Sequence, residues 1–299
     1  HIPIRIFLAH PSIYLKHTLS CAILAAIKKE NAVRIIVILL ALAAPASAHF
    51  PHDSVFEVFQ FPDEHGPTMN GDGSDWDAVP AEYFIDHTSY RETLHDSTVT
   101  DTLDLHLIRA AVGWNDRLNR LYFIAEVYDD VWRFSHPNTD SLDTPHSRMA
   151  GAYVHGSDIW EIVVDSDHAG DRVINFSEVP EAEFRYRSAY TQNYHLYMPP
   201  LNGHYWHWLW GKALWTKREE FSSVGWSGGV QHLGSGRVIY EFYITPFDDL
   251  HPDGPEHSVA HDLTENTIIG LGWAFLDADE KDDGFDAFCC LLYTSDAAD

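Results

Sequence analysis

Short apolar runs rich in β-branched and aromatic residues limit how this chain can fold. Gly, Pro, Asp and Asn residues separate the runs, and no long segment shows the period of an amphipathic helix. This pattern predicts an all-β fold, and the spacing favours a two-sheet antiparallel β-sandwich with long loop insertions over βαβ units. The predicted strands are Val55–Phe61, Leu103–Val112, Leu121–Tyr128, Ile159–Val164, Arg172–Phe176, Tyr194–Tyr197, Val238–Ile244 and Ile268–Leu276.

The segment 1–48 is predicted to lie outside the mature domain. Arg34 precedes an apolar run over residues 35–44, and the triplet Ala46-Ser47-Ala48 resembles a secretory cleavage site, with cleavage after Ala48. The run is shorter than the roughly 20 residues that cross a bilayer, so no membrane span is expected in the mature chain. Residues 1–32 contain no Met and are interpreted as a spurious extension upstream of the true start. The protein is therefore expected to be secreted or periplasmic.

At the other end, residues 290–299 resemble the translation of a sequencing adapter and are predicted to be an artefactual tail. The predicted domain therefore covers residues 49–289, and the natural chain is expected to continue beyond it. The cysteines are Cys21, before the cleavage site, and Cys289 and Cys290, at the tail. An exported domain without disulfides is expected to rely on its core or on bound ions.

The charge balance is strongly acidic, with 45 Asp and Glu residues against 19 Lys and Arg residues and a formal net charge of -26 at pH 7. Such a chain repels phosphate groups, so nucleic acids and anionic membrane surfaces are poor partners. A neutral ligand or a cation suits this balance, and solubility outside the cell explains it equally well.

Motifs from Asn70 to about Asp286 resemble those of a known family. Residues 70–80 read N-G-D-G-S-D-W-D-A-V-P, residues 121–130 form a strand ending in paired aspartates, residues 158–167 read D-I-W-E-I-V-V-D-S-D, and residues 240–247 read Y-E-F-Y-I-T-P-F. In this order they resemble the family 9 carbohydrate-binding-like domains, which are related to the DOMON domains.

The resemblance implies a β-sandwich that binds a polysaccharide or oligosaccharide and assists polysaccharide degradation, either attached to a secreted hydrolase or as an exported protein on its own. The chain departs from the family pattern at Thr245, which stands before Pro246, and in long insertions around Ser135–Gly156 and Arg187–Ser235. These insertions leave the identity of the sugar open.

Closely spaced aromatic residues over 203–215 form the most distinctive stretch of the chain. If the stretch is extended, Trp206, Trp208 and Trp210 share one face of a strand, because alternate residues point the same way. Indole rings stack on the apolar faces of sugars, so this row is interpreted as a saccharide-binding platform, with packing in the core as the alternative. The remaining candidates for the binding groove are Tyr194, His195, Tyr197 and Trp215. The tryptophans predicted to lie in the core are Trp76, Trp160 and Trp273.

Acidic turns are candidates for a structural calcium ion. Asp165, Asp167 and Asp171 surround a turn at Gly170, and their alternation provides the oxygen spacing that a hard cation needs. A second, less regular candidate is the segment 277–284, which reads D-A-D-E-K-D-D-G. Neither contains a complete EF-hand loop, and solvated Asx turns are the alternative interpretation.

An enzyme is the less favoured interpretation, and no catalytic residue is predicted. A carboxylate pair facing a glycosidic bond would arise by chance in so acidic a chain. A glycoside hydrolase with its catalytic region elsewhere, and a copper oxidase that uses His49, remain alternatives. A haem-binding electron-transfer domain of the DOMON type is a further alternative, although only Met69, Met149 and Met198 offer thioether ligands and haem is not favoured.

Overall fold

The computed structural model describes residues 4–7, 55–94, 97–98, 103–133, 156–169, 186–197, 206–211, 213–279 and 285–291, with the backbone alone defined for 4–7, 55, 97–98 and 206–208. The strands are β1 (Ile4–Phe7), β2 (Val55–Gln60), β3 (Arg91–Glu92), β4 (Ser97–Thr98), β5 (His106–Asn115), β6 (Arg120–Trp132), β7 (Ile159–Asp165), β8 (Gln192–Tyr197), β9 (Trp206–Leu209), β10 (Ser222–Ser227), β11 (Gly234–Ile244), β12 (Phe247–Asp249), β13 (Val259–Ala260), β14 (Ile268–Asp277) and β15 (Ala287–Cys290). Short 3-10 helices cover Ser74–Ala78, Ala81–Tyr83, His87–Ser89, Leu214–Lys217 and Pro255–His257.

The strands form two layers that pack face to face. The first layer has the order β10-β11-β6-β5-β2. The second runs β9-β8-β7-β14, with β1 and β15 on the far edge of β14 and with β3 and β4 beyond β15. β1 pairs with β2 as well as with β14, so it joins the layers at one edge. The predicted all-β sandwich is thereby confirmed.

Most of the strand pairings are antiparallel, as predicted. The exceptions among the described strands are β1 with β14 and β2 with β5, which pair in parallel. Strands β12 and β13 form a separate two-stranded ribbon. None of the helical segments in the described residues has the length and apolar character that crossing a bilayer requires.

Large aromatic side chains fill the space between the layers, here called the main core. The ring centroids of Phe123 in β6 and Trp273 in β14 are 6.4 Å apart, and those of Trp160 in β7 and Tyr240 in β11 are 5.9 Å apart. Because alternate residues of a strand share a face, each of these strands sends one side of its apolar pattern into the core. Burial of each such side chain contributes about 1.5–3 kcal/mol, as an upper estimate.

The tryptophans predicted to lie in the core are buried. Trp160 and Trp273 lie in the main core. Trp76 lies instead in a smaller cluster with Phe61 and Tyr122, and its ring meets the Phe61 ring edge to face at 5.1 Å. The 3-10 helix Ser74–Ala78 carries Trp76 into this position.

Most of the predicted strands match observed ones within a few residues at each end. The predicted strand Arg172–Phe176 lies outside the described residues. The strands that were not predicted include β10 and β15, besides the short strands β1, β3, β4, β12 and β13. The Ser, Gly and Trp residues of β10 lack an apolar run, and β15 falls where the sequence suggested a tail.

Strands of the fold reach into both segments that were predicted to be outside the domain. β1 lies within the segment 1–48 and pairs with β2 and β14. β15 extends to Cys290, and Leu291 is buried in the main core. The predicted cleavage site and residues 292–299 lie outside the described residues.

Candidate functional site

Strand β9 carries two of the three tryptophans of the predicted platform. It pairs with β8 in antiparallel register, with Trp206 opposite Tyr197 and Trp208 opposite His195. Directly opposed positions belong to the same face of a sheet. Positions 206 and 208 therefore belong to the face of the second layer that carries His195, which we call the outer face because Tyr194 and Leu196 occupy the opposite face in the main core.

Trp210 follows β9 and lies half-buried on the outer face. Its backbone N–H donates to the carbonyl oxygen of Asn193 at 3.1 Å, which continues the pairing with β8. Its ring packs against a cluster on this face, the outer cluster, which consists of Ile159, Tyr197, Ala274, Leu276, Phe288 and Cys290. The Arg187 guanidinium lies over the Trp210 ring at 4.1 Å, and the His195 ring meets that ring edge to face at 5.5 Å.

A buried polar group adjoins Trp210 on the outer face. The register of β7 and β8 sets Glu161 opposite His195, and Glu161 Oε1 lies 3.1 Å from His195 Nε2. The Asn193 side-chain amide donates to the same Glu161 oxygen at 2.7 Å. Burial lowers the pKa of the Arg187 guanidinium, and the Glu161 carboxylate opposes this shift. The outer face thus combines one indole with carboxylate, amide, imidazole and guanidinium groups.

Tyr194 and Tyr197 do not lie in an open groove, so this part of the predicted site is wrong. Tyr194 is 1% exposed and packs in the main core, with its ring 5.5 Å from that of Phe242. Tyr197 is 0% exposed and packs in the outer cluster. Both rings are enclosed by neighbouring side chains, so neither can stack on a sugar as it stands.

Trp215 belongs to a different part of the molecule from Trp210. It lies in the 3-10 helix Leu214–Lys217, and its indole N–H donates to the carbonyl oxygen of His251 at 2.9 Å. Its ring meets those of Phe221 and Phe247 edge to face, at 4.8 Å and 5.4 Å. Because these contacts attach Trp215 to the main core, the structure does not bring it to the predicted platform.

The predicted calcium turn is only partly described. Asp165 is buried at the end of β7, whereas Asp167 is exposed and its Oδ1 accepts the Ala169 N–H at 3.1 Å. This bond is an Asx turn, which was the alternative interpretation of the sequence. Asp171 lies outside the described residues. Neither Asp165 nor Asp167 belongs to a group of described side chains that could hold an ion.

Other acidic residues do come together, at the end of the sandwich where β6 and β14 finish. Asp129, Asp158 and Asp277 form one group whose carboxylate oxygens lie within 4.8 Å of one another. Asp129 also belongs to a second group, with Asp104, Asp130 and Asp279. Asp277 and Asp279 lie in the second acidic segment that the sequence offered. The others were visible only as the ends of family-like motifs or as isolated acids.

Burial and mutual repulsion act on these carboxylates in the same direction. Burial, followed by the neighbouring carboxylates, raises the pKa of Asp129 to about 7 and that of Asp277 to about 9. Burial and neighbouring carboxylates also raise the pKa of Asp158. They raise the pKa of Asp279 to about 6. Ionising these carboxyl groups together is therefore unfavourable unless a positive charge lies beside them.

The segment 225–229, G-W-S-G-G, has the G-x-S-x-G spacing of a hydrolase nucleophile turn, so the interpretation that the sequence offers no catalytic residue overlooked a motif. Ser227 lies at the end of β10, in an antiparallel strand pair rather than a strand-to-helix turn. Its hydroxyl donates to the carbonyl oxygen of Gly71. The serine therefore joins two segments of the fold.

Most of the residues considered as copper or haem ligands in the alternative interpretations lie outside the described residues. His49, Met149 and Met198 are among those that lie outside. Met69 packs against the cluster that contains Trp76.

Compared with protein-family models and with curated proteins, the sequence matches none. The resemblance to the family 9 carbohydrate-binding-like domains therefore stays a prediction that depends on the motifs alone.

Proposed function

We propose that this protein is an exported, non-catalytic binding module that holds a saccharide against the outer face of β8 and β9. The observation that carries the proposal is the position of Trp210, a half-buried indole next to the buried polar group of Glu161, Asn193 and His195. Carbohydrate sites combine these features, because an indole covers the apolar face of a sugar ring while amides and carboxylates meet its hydroxyl groups.

The polar group has hydrogen-bonding capacity to offer. The Asn193 Nδ2 is committed to Glu161, whereas its Oδ1 is buried and has no hydrogen-bond partner among the described residues. A buried acceptor without a donor costs roughly 1–3 kcal/mol, and a sugar hydroxyl would supply the donor. Arg187 covers one side of the Trp210 ring, so a sugar would use the other side or the ring edge.

The register of β9 supports a longer site. Positions 206 and 208 belong to the same face as His195, so two further tryptophan positions lie on the side of the sheet proposed to hold the saccharide. Successive rings at this spacing suit consecutive sugar units, which favours an oligosaccharide or polysaccharide over a monosaccharide. The acidic chain also suits a neutral glycan.

The test is a glycan array with the full-length protein, followed by calorimetry with the glycan that binds. Trp210→Ala and the double variant Trp206→Ala, Trp208→Ala are compared with Trp226→Ala, which removes another half-buried indole from the first layer. We expect the Trp210 and double variants to bind at least about tenfold more weakly, and Trp226→Ala to bind like the parent.

Circular dichroism shows whether each variant is folded, so that lost binding is not mistaken for lost structure. Two results would contradict the proposal. One is that no glycan binds the parent protein, and the other is that binding survives in both the Trp210 variant and the double variant.

A further inference from the structure

The two layers of the sandwich bring buried carboxylates together at one end. Asp129 comes from β6 in the first layer, whereas Asp158 directly precedes β7 and Asp277 ends β14, both in the second layer. These three residues are 0%, 2% and 0% exposed. Strand pairing therefore holds three acids from distant parts of the chain at one point, away from water.

Several oxygens of this group have no internal partner. Both carboxylate oxygens of Asp277 and Oδ2 of Asp129 are buried without a hydrogen-bond partner among the described residues. Oδ1 of Asp279, in the adjoining group, is in the same condition. A buried carboxylate oxygen without a donor is unfavourable, and several of them at one point are more so.

The backbone holds the remaining oxygens in place. Asp158 Oδ1 accepts the N–H of Ala278 at 3.0 Å, and its Oδ2 accepts the N–H of Arg133. Asp129 Oδ1 accepts the N–H of Val131 at 3.2 Å. The Arg133 guanidinium donates to the backbone carbonyl of Asp279 rather than to a carboxylate of the buried group. Neutral backbone donors thus position the carboxylates of Asp129 and Asp158.

We propose that this group binds a divalent cation, Ca²⁺, with Asp129, Asp158 and Asp277 as its buried ligands and with the adjoining group of Asp104, Asp130 and Asp279 adding negative charge beside it. Calcium binds oxygen ligands at 2.3–2.6 Å, so two ligands on opposite sides of one ion are about 4.8 Å apart. The separation within the group meets this limit. The ligands are all carboxylates, without the His or Cys that zinc prefers.

The cation would connect the two layers, because Asp129 belongs to one and Asp158 and Asp277 to the other. It would also replace mutual repulsion with attraction, which gives it a structural role independent of any saccharide. This proposal does not depend on the outer-face site, which lies on other residues.

The experiment uses full-length protein treated with a chelator and then dialysed into metal-free buffer. Melting is followed with CaCl₂ or MgCl₂, and Ca²⁺ binding is measured directly by calorimetry. We expect Ca²⁺ to raise the melting temperature by about 5 °C or more, and Mg²⁺ to raise it much less. No binding of Ca²⁺, or equal stabilisation by Mg²⁺, would overturn the proposal.

Asp277→Asn and Asp129→Asn provide the second test, with Asp167→Asn as the control in the turn that the sequence predicted. We expect the first two variants to bind Ca²⁺ at least about tenfold more weakly, and the control to bind like the parent. Without metal, both variants should melt no lower than the parent, because a neutral amide replaces a carboxyl group that is costly to ionise beside its neighbours. Loss of Ca²⁺ binding in the control alone would move the site to the predicted turn and overturn the assignment.

Discussion

The Glu241 carboxylate accepts the backbone N–H of Gly71 at 2.6 Å, although the two residues are 170 positions apart in the sequence. The same oxygen accepts the N–H of Asn70 at 3.1 Å. Glu241 lies in β11 and is fully buried. Its hydrogen bonds therefore hold the N-G-D-G turn, residues 70–73, against a central strand of the first layer. The two motifs that carried the first and last parts of the family resemblance thus meet in space.

The Glu241 contact predicts a pH dependence of stability. Burial, helped by Asp72 and Asp75 and opposed by the Gly71 and Asn70 hydrogen bonds, raises the pKa of Glu241 from 4.5 to about 7. The folded state then binds more protons than the unfolded state between these values, so this group's contribution to stability falls as pH rises through that window. Full destabilisation is reached above about pH 7.

Glu241→Gln removes the titration but keeps an oxygen acceptor for the turn. Relative to the parent, we expect the free energy of unfolding of the variant to rise between about pH 4.5 and pH 7, by on the order of 3 kcal/mol. Urea unfolding at a series of pH values measures this difference. If the difference in unfolding free energy between variant and parent does not change with pH, folding does not raise the pKa of Glu241, which contradicts the prediction.

Gly71 itself should not tolerate a side chain. Its φ is +79°, and an added Cβ would lie 2.1 Å from the carbonyl carbon of Trp226 and 2.6 Å from the backbone nitrogen of Ser227. Both are backbone atoms, so the clash can be relieved only by separating the turn from β10. We expect Gly71→Ala to lower the free energy of unfolding by more than about 2 kcal/mol.

Gly229→Ala is the matched control for this prediction. Gly229 also has a positive φ, +64°, but an added Cβ would meet nothing within 4 Å. We expect it to cost about 1 kcal/mol, the conformational penalty alone. Chemical denaturation of the two variants side by side separates the clash from the backbone preference. Equal losses would mean that the close approach of the turn to β10 is not needed for stability.

The segment 158–161 places its side chains in three different parts of the structure. Asp158 lies at the carboxylate group, Trp160 enters the main core and Glu161 joins the polar group on the outer face. The alternation of a β-strand explains the divergence of Trp160 and Glu161, because neighbouring residues point to opposite faces. The D-I-W-E motif therefore links the proposed cation site, the core and the proposed saccharide site through a single strand.

The positions of the strands could be predicted because β-branched and aromatic runs mark them locally. The surroundings of individual side chains could not. Tyr194 and Tyr197 lie on opposite faces of β8, and both faces are covered, whereas the sequence pattern alone cannot show whether an outer face is covered. A solvent-facing groove was therefore inferred where packed rings are found.

The complete carboxylate group could not be predicted for a different reason, although Asp277 and Asp279 lie in the second acidic segment identified in the sequence. Asp129, Asp158 and Asp277 are far apart along the chain and meet only because β7 pairs with β14 and the two layers stack. Spacing rules detect cation sites within one loop, such as the turn at Asp165 and Asp167. They do not detect a site that is assembled from strand ends.

The burial of β15 predicts how the cysteine thiols react. Cys289 packs in the main core and Cys290 in the outer cluster, and burial raises the pKa of Cys289 to about 12 and that of Cys290 in the same direction. Because the thiolate is the reactive form, both thiols should be nearly inert towards Ellman's reagent at pH 8 in the folded protein. In a Cys21→Ser variant, which leaves only these thiols, we expect slow reaction in buffer and immediate reaction in denaturant. Fast reaction in buffer would mean that β15 does not stay paired with β14, and that the chain near Cys290 behaves as the separate tail suggested by the sequence.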